Sequence, residues 1–241
     1  MFRHMLVRLE DSPETEFALG AALAFAKGYG STVTGVYVRE PAPVHVGPDA
    51  IGVSAAALAA AGVPVSSFET DDHAAAEGER QARAINAFEA MCRDAGVRFR
   101  CDVRAASTRG TFADSIGTAD LVTMPRGEYD RGAIGSEVEQ LVKSVPHPFL
   151  IASQQISTVK RIAVAYDGSP GAVRALAAAA DIARNWRPET PEIVLLEVLP
   201  CGVPTTSHLS AAQAYLDTYE LPHRSLVLHG TAGDEVPEAA A

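Results

Sequence analysis

One stretch of this sequence occurs twice. VRLEDSPETEFALGAALAFA (Val7–Ala26) lies over VAYDGSPGAVRALAAAADIA (Val164–Ala183) at an offset of 157. Ser12 meets Ser169, Pro13 meets Pro170, Ala18 meets Ala175 and Leu19 meets Leu176. Both stretches run from a buried strand through a sharp turn into an alanine-rich helix. Each is followed by a β-rich run, STVTGVYV (Ser31–Val38) and EIVLLEVL (Glu192–Leu199). A fixed-offset match with the same order of elements marks a duplicated module. Whatever fold the first module adopts, the second must approximate.

The first copy reads as strand Met5–Leu9, helix Pro13–Gly28 and strand Thr32–Val38. After an irregular insertion at about 40–70 come helix Asp72–Asp94, strand Val97–Arg104 and a short helix near Phe112–Ile116. It closes with strand Leu121–Met124, a glycine loop, helix Ser136–Ser144 and strand Phe149–Ala152. Alternating strands and helices indicate an α/β fold whose parallel sheet is covered on both faces. We expect domains at 1–153 and 160–241, joined by the aperiodic SQQISTVK. LHGTAGDEVPEAAA (Leu228–Ala241) aligns with TRGTFADSIGTADL (Thr108–Leu121), so the second copy reads as incomplete, without the fourth and fifth strands. The stop inside an apparent helix leads us to expect a fragment of a longer chain. The insertion is long for a connection in a compact domain, and a lid, a partner contact and a mobile loop stay equally open for it.

Composition narrows the function. A formal net charge of −10 opposes a phosphate-backbone partner, so nucleic acid is not expected. The longest apolar tract, Ile51–Val65, is too short for a bilayer and is interrupted by Gly52, Gly62 and Pro64. Cys92, Cys101 and Cys201 show no metal-type spacing, and an odd, sparse count suits a reducing cytoplasm. The scattered histidines show no zinc spacing, and no GxSxG elbow accompanies a serine. Asp71 and Asp72 read as the N-cap and first-turn acids of an amphipathic helix, with Glu77 and Glu79 on its solvated side.

Two places present backbone to a small ligand. DGSP in the second copy places Asp167, Gly168 and Ser169 at a strand-to-helix turn. In the first copy, DLVTMPRGEYDRGAIGSEVEQ ends a buried strand at Met124, passes Gly127 and opens a helix at Gly135–Ser136. Glycines let a phosphate approach backbone N–H groups, and a helix N-terminus favours negative charge.

These blocks, VAYDGSPGAVRAL, LVRLEDSPETEFAL and DLVTMPRGEYDRGAIGSEVEQLVKSVPHPFLIAS, resemble the universal stress protein family in its tandem-repeat form. The resemblance covers the chain apart from the 40–70 insertion. It implies a doubly wound sheet of the adenine nucleotide alpha hydrolase kind, in strand order 3-2-1-4-5, with the copies or two chains pairing as a pseudo-dimer or homodimer. It further implies an adenine nucleotide such as ATP, with magnesium as companion, held by an Asp after strand one, a Val on strand two and a G-x2-G-x9-G-S/T loop. In the first copy these positions fall on Glu10, Val38, Met124, Gly127, Gly135 and Ser136. There Glu10 replaces the Asp, Asp11 the following Gly and Pro125 the first loop glycine, and seven residues separate Gly127 from Gly135. In the second copy they fall on Asp167, Gly168, Ser169, Val198 and Gly230. Two functions stay open: a stress-response protein that binds a nucleotide in at least one repeat, and a nucleotide-free scaffold for a protein partner. No residue presents itself as a positioned general base, so slow ATP hydrolysis has no support in the sequence.

Overall fold

The computed structural model describes residues 2–39, 70–105, 112–125, 139, 141–143, 145, 147–152, 154, 156, 158–201 and 207–240. The chain divides into two compact units, Phe2–Gln155 and Ile156–Ala241.

In the first unit β1 (His4–Leu9), α1 (Pro13–Tyr29), β2 (Thr32–Arg39), α2 (Thr70–Ala95) and β3 (Arg98–Ala105) are followed by α3 (Ala113–Ile116), β4 (Leu121–Pro125) and β5 (Phe149–Ala152). All pairings are parallel, in the order β3-β2-β1-β4-β5. The chain therefore moves outward from β1 to β3, then crosses back to β4 on the other side of β1. The reversal point lies between β1 and β4, where sheets of this kind open a crevice beyond their strand ends.

Local chemistry explains the elements. The Ser12 hydroxyl accepts the Thr15 N–H at 3.4 Å, Pro13 supplies the first helical φ, and Gly30 ends α1 at φ 61°, a left-handed value that suits glycine. Ala18, Ala21, Ala22 and Ala26 are essentially unexposed. Their small side chains bring α1 close to the sheet. Gly35 in β2 permits a second close approach: a Cβ there would stand 2.8 Å from Leu9 Cδ1 and 2.9 Å from the Phe88 ring of α2. Asp120 pins the start of β1, its carboxylate accepting the backbone N–H groups of Arg3 and His4, each at 2.8 Å.

The second unit repeats the plan over β6 (Arg161–Ala165), α4 (Pro170–Asn185), β7 (Glu192–Leu199), α5 (Leu209–Thr218), β8 (His223–His229) and α6 (Ala232–Ala240). Its described strands form a parallel sheet in the order β6-β7-β8. Val164, Leu176, Ala180, Ile193, Leu195 and Leu216 centre its core. Arg8 pairs with Val36 and Ala165 with Leu196, so Val38 and Val198 occupy the same register position.

Most expected boundaries hold within two residues. Pro125, read as the first loop residue, instead closes β4, paired with Ala152. Within the expected helix 136–144, residues 139 and 141–143 are helical. The expectation for Glu77 fails. It is 9% exposed, accepting the Tyr37 hydroxyl at 3.1 Å and both Nε and Nη2 of Arg80. The periodicity of α2 put Glu77 outside because an isolated helix does not show which polar group a neighbouring strand will offer.

Candidate functional site

The Asp-Gly-Ser turn follows β6 directly. Asp167 Oδ1 accepts the Ser169 N–H at 2.9 Å, and the Ser169 hydroxyl accepts the Ala172 N–H at 3.2 Å, capping α4. Gly168 takes φ 76°, which lets the chain reverse within one residue. Hydrogen bonds from Ser169, its hydroxyl first and its backbone N–H next, hold the exposed Asp167 carboxyl below the usual carboxylate range. Asp167 is therefore ionised at neutral pH.

Beside this turn lies a crevice of about 330 Å³. Its polar wall is Asp167 and Ser169; its floor is Ala165, Leu196 and Val198; Ala232 and Val236 of α6 close the far side. The volume falls at the lower end of the range for small-molecule sites, and an apolar lining with few polar groups is their usual make-up.

In the first unit β4 pairs with the equivalent strand β1, and the described side chains at the two aligned positions are larger. Arg8 stands where Ala165 does, and Phe112 aligns with Ala232. Phe112 is 1% exposed and packs with Leu6, Val36, Ile116 and Met124. The Arg8 guanidinium lies over its ring, 5.8 Å from the centroid, and Arg8 Nε also pairs with Glu10 at 2.7 Å. Such a cation over an aromatic face contributes on the order of 1 kcal/mol.

The first unit opens instead on the opposite face of its sheet. A cleft of about 240 Å³ lies between the start of α1 and α2, with Leu9, Leu19 and Phe88 in its floor. Asp11 and Arg83 close its mouth with a hydrogen-bonded ion pair at 2.8 Å. The Asp11 position in the second unit is Gly168, and the His208 ring lies 3.0 Å from where a Cβ on that glycine would be.

His208 is held by a buried carboxylate. Glu197 in β7, 2% exposed, accepts the Ser207 hydroxyl at 2.6 Å and the His208 N–H at 2.8 Å. Its register counterpart in the first unit is Tyr37, whose hydroxyl donates to Glu77 of α2. Both repeats thus tie the residue before the strand-two valine to the segment that follows the strand.

Comparison with known proteins agrees with this architecture. The chain superposes on a universal stress protein from Archaeoglobus fulgidus DSM 4304 with a TM-score of 0.67 and 16% identity, over 95% of this chain and 77% of that one. The universal stress protein fold is this chain's fold. A functionally unknown protein from Pseudomonas aeruginosa PAO1 superposes with a TM-score of 0.63 and 14% identity, over 100% of this chain and 78% of that one. In sequence, a universal stress protein of Synechocystis sp. is 33% identical over 60 residues, 23% of this chain. That match spans 21% of the cyanobacterial protein's own length. No family model matches the chain. Local sequence similarity and fold thus point the same way, to the universal stress protein fold.

Within this universal stress protein fold, the sequence-derived candidates distribute unevenly. Asp167, Ser169 and Val198 line one crevice. Gly168 forms its turn, and Gly230, at φ 153°, opens the loop into α6. In the first unit Glu10 is paired with Arg8, Val38 packs on the cluster around Phe112, and Met124 is 1% exposed within it. Gly127, Gly135 and Ser136 lie outside the described residues, as does the 40–69 part of the insertion. Sequence reasoning passed over Arg8, Phe112, Ala165 and Ala232, although the two alignments already paired them. It also passed over Glu197, an acid within the otherwise apolar run Ile193–Leu199. Among the described residues no cluster of three or more His, Cys, Asp or Glu gathers to hold a metal, and no helix is long and apolar enough to cross a membrane.

Proposed function

We propose that this chain is a universal-stress-type protein that binds an adenine nucleotide by its adenosine portion in the crevice of the second unit. Asp167 accepts hydrogen bonds from ligand hydroxyl or amine groups, the Val198 backbone meets the base, and Gly168, Ser169 and Gly230 shape the entrance. The protein acts in a stress response by binding and partner choice, in the cytoplasm. The carrying observation is the crevice itself: Asp167 and Ser169 stand beside an apolar floor of Ala165, Leu196 and Val198. Equilibrium dialysis with labelled adenine and guanine ligands tests the reading. Saturable, adenine-selective binding of one equivalent per chain is expected. Absence of binding at millimolar ligand, or equal uptake of guanine ligands, would falsify it.

A second reading applies to the first unit alone. There Glu10, Val38, Met124, Gly127, Gly135 and Ser136 belong to a scaffold half that holds no nucleotide. The occupied space between Val38 and Met124 favours this reading. One equivalent bound per chain, and not two, is its signature.

A further inference from the structure

We propose that β3, the outermost strand of the first unit's sheet, is a docking edge for an extended segment of a partner protein in which acidic and apolar residues alternate. β3 ends the order β3-β2-β1-β4-β5, with β2 as its neighbour in the described sheet. An edge strand presents a row of backbone N–H and C=O groups that a further strand can use, and β3 runs for eight residues. A segment added in this way gains affinity from the backbone and specificity from its alternate side chains.

The two faces of β3 differ. Phe99 lies edge-on to the Phe88 ring of α2, with centroids 5.7 Å apart, so Phe99, Cys101 and Val103 share the face toward that helix. Val103 is nonetheless 40% exposed, and Cys101 beside it is exposed too. Arg98, Arg100, Asp102 and Arg104 take the opposite face, where Thr34, the β2 partner of Arg100, hydrogen-bonds His4 of β1. All three arginines are exposed. Arg104 pairs with Asp102 at 2.7 Å, and Arg98 donates to the Gly30 carbonyl at 2.7 Å. Arg100 joins no ion pair among the described residues.

This cationic stripe stands on a chain of formal net charge −10, and the fold does not require it. Val103 pairs with Tyr37 and Val227 with Glu197, so β8 carries Arg224, Leu226 and Leu228 at the positions of Arg100, Asp102 and Arg104. There Arg224 is engaged by Glu192 at 3.4 Å. The charge on β3 therefore sets what can dock. Two β3 strands paired antiparallel about Cys101 would set Arg98 opposite Arg104, and about Asp102 would set Arg100 opposite Arg104. A segment with carboxylates opposite Arg100 and Arg104, and apolar residues opposite Cys101 and Val103, suits both faces and covers the exposed valine.

The test is fluorescence anisotropy of this chain with a labelled heptapeptide that alternates Glu and Val. Saturable one-to-one binding is expected, lost when Lys replaces Glu and lost when the central peptide bonds are N-methylated. Arg100→Glu, its fold checked by circular dichroism, should weaken binding about tenfold or more. No saturation at millimolar peptide, equal binding of the lysine peptide, or an unchanged affinity in Arg100→Glu overturns the acidic partner. Equal binding of the N-methylated peptide overturns strand addition. A peptide-free dimer in sedimentation that Arg100→Glu disrupts would make a second copy the occupant, and overturns the proposal as well.

Discussion

The guanidinium of Arg8 lies 5.8 Å from the centre of the Phe112 ring, and the positions aligned with this pair in the second unit are Ala165 and Ala232, both of which line its crevice. The two aligned positions thus differ in size, and the first unit also has β4 paired with β1 on the side where β6 has no described neighbour. Ala232→Phe should close the second crevice and remove ligand binding, with the circular dichroism spectrum unchanged. Retained binding in that variant would move the ligand elsewhere.

Phe112→Ala is the reciprocal change. Phe112 is 1% exposed, and deleting a buried ring costs roughly 3–5 kcal/mol through lost transfer energy and the cavity left behind. Chemical denaturation should place the first unit at that deficit. A loss under about 1 kcal/mol would show that the ring contributes little packing there.

Gly35 lets β2 approach its neighbours closely. A Cβ there meets Leu9 Cδ1 and the Phe88 ring at 2.8–2.9 Å, so Gly35→Ala forces β2, Leu9 or Phe88 to shift. Overpacking of this kind costs typically ~1–3 kcal/mol. A thermal melt that matches the parent protein would show that the ring swings aside freely.

Glu197→Ala strips the Ser207 hydroxyl and the His208 N–H of their acceptor inside the second unit. Losing a buried acceptor costs about 1–3 kcal/mol, and His208 should lose its fixed place beside Gly168. In Glu197→Gln the amide oxygen still accepts one of the two bonds. Its melting temperature should fall between those of the parent and the alanine variant, and the imidazole NMR signal should stay near its parental position.

Tyr37 gives an alkaline signature. Burial first, then the Glu77 carboxylate, pushes its hydroxyl from the ordinary 10.0 up to about 12. The folded state therefore holds this proton more tightly than the unfolded chain does. The stabilisation is complete below pH 10 and disappears as pH rises toward 12. The stability difference between the parent and Tyr37→Phe should shrink across that window; a constant difference contradicts the assignment.

The repeat made the fold legible. SPETEFALGAALAFA and SPGAVRALAAAADIA announce capped, small-residue helices against a buried strand, and a duplicated strand–helix order leaves few topologies. The Asp167 turn was legible for the same reason, because Asp-Gly-Ser-Pro fixes its own backbone by local hydrogen bonds. What stayed hidden was the contrast between the repeats. Arg8 and Phe112 are ordinary residues alone, and their meaning depends on both pointing to one side of the sheet. Glu77 was misplaced for a related reason: a carboxylate goes inside when Tyr37 and Arg80 together satisfy it, and neither partner is apparent from helical periodicity.

The ties at Tyr37 and Glu197 run in opposite senses, with the acid on the helix in one repeat and on the strand in the other. Tandem copies of one module risk exchanging equivalent segments while they fold. If α2 docked on β7, Glu77 would meet Glu197 in place of the Tyr37 hydroxyl; if the 207–209 segment docked on β2, Tyr37 would offer it no carboxylate. Each strand position is thus matched to the segment of its own repeat, a complementarity that an exchange of segments would forfeit.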